Sequence, residues 1–144
     1  MTLPLSACGL FSPSEDKLRD DIVDVALDQV GEDYHYGGAS PGEGFDCSGL
    51  AYYSYAKAGI KLPRSAAEQH KVGKAVKFDD AEPGDLVFYN FHDRKKTDLH
   101  VVVYLGRGRG VHAPVSGGEV EKVDLTAPEW RKRYIGARRI VRES

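Results

Sequence analysis

Two hydrophobic periods divide the chain. Leu18, Ile22, Val25, Ala26 and Val30 recur at helical spacing, which predicts an amphipathic helix to about Val30, stopped at Gly31. "SPSE" at 12–15 reads as its capping box, with Ser12 as cap, Pro13 in the first turn and Glu15 three residues on. "YHYGGASPGEGF" at 34–45 is glycine-rich and is expected to be a loop. "SGLAYYSYAKA" at 48–58 lacks β-branched residues and is followed by Gly59, so a second helix opens at or just after Cys47. Pro63, Ser65 and Glu68 predict a short third helix. Beyond position 74 the period becomes two. Strands are expected at 75–78, 85–90, 99–106, 110–113, 119–125 and 134–141, with "HDRKKTD" at 92–98 as an exposed hairpin or loop. Helices followed by a run of strands argue for one α+β domain, an antiparallel sheet of about five to six strands covered on one side.

Composition narrows the function more than the fold. A length of 144 residues suits a single core, and a net charge of −2 gives no general pull toward nucleic acid or membrane. Acidic residues gather between Glu15 and Asp33 and basic ones between Arg131 and Arg142, which reads as two solvated faces. No apolar stretch approaches the roughly 18 residues of a spanning helix. Leu5-Ser6-Ala7-Cys8 nevertheless resembles a bacterial lipobox, whose cysteine carries lipid. Cys8 is therefore a candidate lipidation site, with residues 1–14 as a residual lipobox and tether and 15–144 as the folded domain. The two cysteines could alternatively form a disulfide.

The chemistry centres on "FDCSGL" at 45–50. Cys47 falls at a predicted helix N-terminus, where unpaired N–H groups and the macrodipole favour an anion, and a thiolate is the nucleophilic form of cysteine. Asp46, Ser48 and the nearby glycines do not describe the apolar surroundings of a core cysteine. Of five histidines, His70 and His92 sit in charged segments, whereas His100 opens the apolar strand "HVVVYLG" and His112 follows in the next one. A strand, a tight turn and a return strand place His100 and His112 side by side. One histidine then takes the thiol proton and the second orients it. Zinc could use the same three ligands, but C-x-x-C and H-x-x-x-H spacings are absent, and a helix start suits a nucleophile better than a ligand. On this reading Cys47 alkylates faster near neutral pH than Cys8.

"YHYGGASPGEGFDCSGLAYYSY", "LPRSAAEQ", "PGDLVFY", "HVVVYLG" and "VHAP", in that order, resemble the NlpC/P60 cell-wall peptidases over about positions 18 to 140. The resemblance implies a minimal papain-like fold, with Cys47 as nucleophile, His100 as base and His112 as orienting residue. It implies Tyr34 near the oxyanion or substrate carbonyl, and Asp46 and Ser48 shaping the substrate pocket. Arg64 in "LPRSAAEQ" is a candidate contact for a stem-peptide carboxylate. The implied activity is hydrolysis of peptidoglycan stem peptides, typically between γ-D-glutamate and diaminopimelate, through an acyl-thioester and with no metal or organic cofactor. A monomer in the bacterial envelope, at the periplasmic face of the outer membrane, completes this expectation. An amidase or acyltransferase on the same fold, or a stem-peptide-binding lipoprotein without catalysis, are the alternatives.

Overall fold

The computed structural model describes residues 14–91, 99–114 and 118–141; Cys8, Ser12, Pro13, His92 with the rest of the 92–98 segment, and Arg142 lie outside the described residues. Helix α1 (Glu15–Asp28) is capped by Ser14, whose hydroxyl accepts from the Lys17 N–H at 3.1 Å. That is two residues later than the Ser12 box. Capping at Ser14 places Glu15 and Asp16 in the first turn, where carboxylates complement the macrodipole. Ile22 and Ala26 on its inner face are fully buried.

The glycine-rich segment is not merely a loop. β1 (Ala39–Ser40) and β2 (Gly44–Phe45) pair antiparallel, a ladder too short to register as a period-two pattern. Positive φ at Gly42 and Gly44 lets the chain reverse between them. Helices α2 (Cys47–Lys57) and α3 (Ala66–Gln69) follow, and Ser65 caps α3 by accepting from the Glu68 N–H at 3.2 Å.

The main sheet holds β3 (Lys74–Val76), β4 (Leu86–Tyr89), β5 (His100–Gly106), β6 (Arg109–His112), β7 (Glu121–Asp124) and β8 (Tyr134–Arg139). Its order is β3-β8-β4-β5-β6-β7 and every pairing is antiparallel. Two short elements were not expected from the sequence: a 3₁₀ turn at Phe78–Asp80, where a strand was predicted to end, and helix α4 (Pro128–Arg131).

The sheet is covered on both faces, a correction to the one-sided expectation. On one face α1 and α2 close an aliphatic cluster containing Ile22, Leu50, Leu86, Phe88, Val101, Val103 and Val111. On the other, Val87, Tyr89, Val102 and Tyr104 pack under Phe78, Trp130 and Tyr134. Short aromatic segments cover that second face, so the sequence offers no amphipathic helix to announce the layer. All four residues of β4 are buried as a result.

One hairpin fixes the site. β5 and β6 are joined at Arg107–Gly108, with φ of 55° and 76°, the doubly positive geometry that matches strand twist. The turn pairs Gly106 with Arg109, but further in Tyr104 pairs with Gly110 and Val103 with Val111, so Leu105 is an extra residue on β5. Since a one-residue slip turns a whole strand over, this bulge puts His112 level with Val102 and on the same face as His100.

Candidate active site

Cys47 is the first residue of α2, and the Asp46 carboxylate caps that helix by accepting from the Gly49 N–H at 2.7 Å. The same carboxylate accepts from the Gly37 N–H at 3.0 Å and from Arg64 Nη2 at 3.1 Å. Arg64 also donates to Ser48 Oγ at 2.8 Å and to the Gly38 carbonyl at 3.2 Å. A side chain at Gly49 would collide with the Gly38 carbonyl, so the loop can lie this close to the helix only over glycine. Behind the turn, fully buried Gln69 donates to the Ser48 carbonyl at 3.1 Å and the Pro63 carbonyl at 2.8 Å. The turn that bears Cys47 is thus held by hydrogen bonds from three separate segments.

The histidines arrive from the sheet. His100 opens β5 opposite Tyr89, and His112 ends β6. His100 Nε2 and His112 Nδ1 lie 2.8 Å apart, and both rings are buried. Trp130 of α4 packs edge-on against His112 with ring centres 5.0 Å apart and lies 6.0 Å from His100; Phe91 approaches His100 at 5.8 Å. On its far side His112 Nε2 meets Glu121 Oε2 at 2.9 Å, because β6 and β7 pair His112 directly with Glu121.

Helix and sheet meet at a cleft of about 510 Å³ whose lining includes Tyr34, Cys47, Ser48, His100, His112 and Trp130. Asp46 also reaches this wall, whereas Arg64 stands behind it with its guanidinium committed to Asp46, Ser48 and Gly38. His70 is elsewhere, capping α3 and packed on Phe88. The two rings spend their facing nitrogens on each other, and among the described residues no group of three or more His, Cys, Asp or Glu is disposed to hold a metal ion. Trp130, Phe91, Glu121 and Gln69 were not singled out in the sequence. Trp130 and Glu121 belong to segments whose approach depends on the β6–β7–α4 path, and no local spacing signals that.

Burial sets the protonation states. His100 is pulled down to about 3, first by desolvation and then by the neighbouring His112. Desolvation also lowers His112, while its hydrogen bond to Glu121 opposes the shift. The Cys47 thiol is pushed above its ordinary value, chiefly by burial and also by Asp46, although the Val101 and Ser48 backbone N–H groups and Arg64 pull the other way. Burial therefore works against the thiolate that the helix start favours. A helix N-terminus contributes roughly 0.3–1 kcal/mol to an exposed anion, less than the desolvation of a buried one. Burial thus favours the neutral forms of the Cys47 thiol and of the His100 ring on the two sides of the cleft. Tyr34 is raised by burial, Asp46 and Cys47, and so remains a neutral phenol able to donate.

Known proteins resemble the chain in sequence and in fold. The family model described as "NlpC/P60 family" matches residues 31–139. Murein DD-endopeptidase MepH of Escherichia coli K12 is 40% identical over 118 residues, which cover 80% of this chain and 43% of that protein. The probable endopeptidase YafL of the same organism is 40% identical over 137 residues, covering 90% and 54%. Gamma-DL-glutamyl hydrolase of Bacillus subtilis is 42% identical over 120 residues, covering 83% and 29%. The chain therefore spans about half or less of the length of these relatives. Among solved structures, an NlpC/P60 family protein from Bacillus cereus superposes with a TM-score of 0.79 at 33% identity, over 91% of this chain and 44% of that one. The peptidoglycan hydrolase RipB of Mycobacterium tuberculosis gives 0.76 at 28% identity, over 90% and 67%. With the family match running from the glycine-rich loop to the last strand and the same fold in solved members, this chain belongs to the NlpC/P60 family.

Proposed function

We propose that the protein is a cysteine peptidase of the bacterial envelope that hydrolyses peptidoglycan stem peptides, at the bond between γ-D-glutamate and diaminopimelate. The observation that carries the reading is the meeting, in one cleft, of a thiol at a helix start and a buried, mutually hydrogen-bonded imidazole pair. The relatives named as murein endopeptidases and as a γ-glutamyl hydrolase support the substrate class.

His112 occupies His100 Nε2, so Nδ1 is the nitrogen of His100 available to the thiol. As Cys47 Sγ bonds to the substrate carbonyl carbon, its proton passes to His100 Nδ1 and the carbonyl oxygen becomes an oxyanion. The Cys47 N–H, which heads the helix without an intrahelical acceptor, and the Tyr34 hydroxyl on the cleft wall are the donors assigned to that charge. His100 returns the proton to the leaving amine, giving a thioester. Water, deprotonated by His100, then opens the thioester and releases the acid.

Residues 15–144 form the catalytic unit in this proposal, and lipid on Cys8 tethers it at the membrane surface; the lipobox-like Leu5-Ser6-Ala7-Cys8 supports the tether. Incubation with purified muropeptides and mass analysis of the products tests the proposal. Products split after γ-D-glutamate are expected, with none from Cys47→Ala. Cleavage that persists in Cys47→Ala overturns the nucleophile, and cleavage of an amide elsewhere, or binding without cleavage, overturns the assigned reaction.

A further inference from the structure

We propose that Glu121 is a positioning residue that selects the tautomer of both histidines, so that His100 presents a bare Nδ1 to Cys47. The inference deepens the peptidase reading above and rests on it.

The contacts run in one line: Glu121 Oε2 to His112 Nε2 at 2.9 Å, and His112 Nδ1 to His100 Nε2 at 2.8 Å. A neutral imidazole carries one N–H and one lone pair, so each contact in the line has a direction. Between two neutral histidines alone, both directions satisfy the 2.8 Å contact equally. In one, His100 Nε2–H donates to His112 and Nδ1 of His100 is bare. In the other, His112 Nδ1–H donates, and the single hydrogen of His100 sits on Nδ1, where it blocks acceptance of the thiol proton.

Glu121 breaks this symmetry. A carboxylate only accepts, so the hydrogen of His112 must lie on Nε2 and its Nδ1 must be bare. His100 must then donate through Nε2. The Glu121 side chain is 54% exposed, and its oxygen reaches the buried ring from the solvent side. After proton transfer His100 holds hydrogens on both nitrogens, Nε2 still donating to His112. Glu121 gains and loses no proton. Burial supports the scheme by holding both rings neutral.

The pairing of β6 with β7 makes the arrangement a property of the sheet, since His112 and Glu121 are direct cross-strand partners. Trp130 on the ring edge of His112 keeps the imidazole from rotating away from either contact.

Nitrogen-15 spectra of the histidine side chains in the full chain at neutral pH provide the test, read beside the rate of Cys47 alkylation by iodoacetamide. Neither measurement needs peptidoglycan, so the result is independent of whether the muropeptide assay succeeds. In the native protein, Nε2 is expected to be pyrrole-type and Nδ1 pyridine-type for both His100 and His112. Glu121→Lys replaces an acceptor by a group that only donates, and both assignments should then invert. Alkylation of Cys47, and cleavage of muropeptides by kcat/KM, should fall about 10²-fold or more, toward the roughly 10⁴-fold cost of a wrong tautomer in a buried triad. Glu121→Gln retains an acceptor oxygen and should keep the native tautomer, with rates within about tenfold. A pyrrole-type Nδ1 on His112 in the native protein overturns the proposal, as does Glu121→Lys with unchanged tautomers and alkylation. If Glu121→Lys fails to fold by circular dichroism, the native and Glu121→Gln spectra decide by the same criterion.

Discussion

The two walls of the cleft are built by different physics. On the helix wall, Cys47 is held by a polar clamp: Asp46 on Gly49 and Gly37, Arg64 on Asp46, Ser48 and Gly38, and Gln69 on Ser48. On the sheet wall, His100 and His112 are held by desolvation and aromatic packing under Trp130 and Phe91, with one carboxylate at the end of the line. The clamp fixes where the sulfur is. The aromatic cover favours the neutral form of His100, because it removes water that would stabilise an imidazolium. Position and basicity are thereby assigned to separate parts of the molecule, and each should fail in its own way.

Removing the reacting group from either wall should have the largest effect. Cys47→Ala and His100→Ala are each expected to lower kcat/KM for muropeptides by 10³-fold or more, on the order of the losses seen when members of other nucleophile–base pairs are deleted. The walls separate in a second readout. His100→Ala should also abolish the dependence of Cys47 alkylation on the base, while Cys47→Ala should leave the histidine spectra unchanged.

Opening the aromatic cover comes next. Trp130→Ala exposes both rings and removes a partly buried indole, at a cost of roughly 2–3 kcal/mol in denaturant unfolding. His100 and His112 should then titrate closer to 6.5, the ordinary histidine value, so the acid limb of the kcat/KM profile moves to higher pH. A profile that stays in place would show that Trp130 does not control the base.

Acid should weaken the sheet wall specifically. His100 is held near 3 in the folded protein against 6.5 when unfolded, so below 6.5 the unfolded chain takes up a proton that the native one does not. Stability is therefore complete above that pH and falls as pH drops toward 3, by up to about 1.4 kcal/mol per unit from this residue. His112 and His70 are lowered as well and act in the same direction. Unfolding measured at pH 7 and 5 should show the decline in the native protein and in Cys47→Ala, and a shallower one in His100→Asn.

Loosening the clamp should have the smallest effect. Arg64→Met removes three donor contacts behind the wall, and displacement of the nucleophile turn should lower kcat about tenfold. The acid limb should not move, since Arg64 does not touch the histidines. A shift in KM alone would instead indicate direct contact between Arg64 and substrate.

The difference between the walls also explains what could be read before the structure. The helix wall is local. Asp46, Cys47, Ser48 and Gly49 are consecutive, and the signals that placed the helix, a run from 48 to 58 without β-branched residues and the Gly59 that follows it, lie in the same short stretch as Cys47. The sequence alone therefore determined helix α2, the place of Cys47 at its head, the two strands bearing His100 and His112, and the α+β class. The burial that works against a thiolate at Cys47 was not legible there, because the same residues say nothing about how much water reaches them. Tertiary structure alone decided the burial, the bulge at Leu105 that turns His112 onto the face of His100, the approach of Trp130, and the pairing that brings Glu121 to His112. Each of these depends on strand register and on the order of strands in the sheet. Those are set by the summed packing of residues far apart in the chain, whereas a helix cap is set by hydrogen bonds within a single turn.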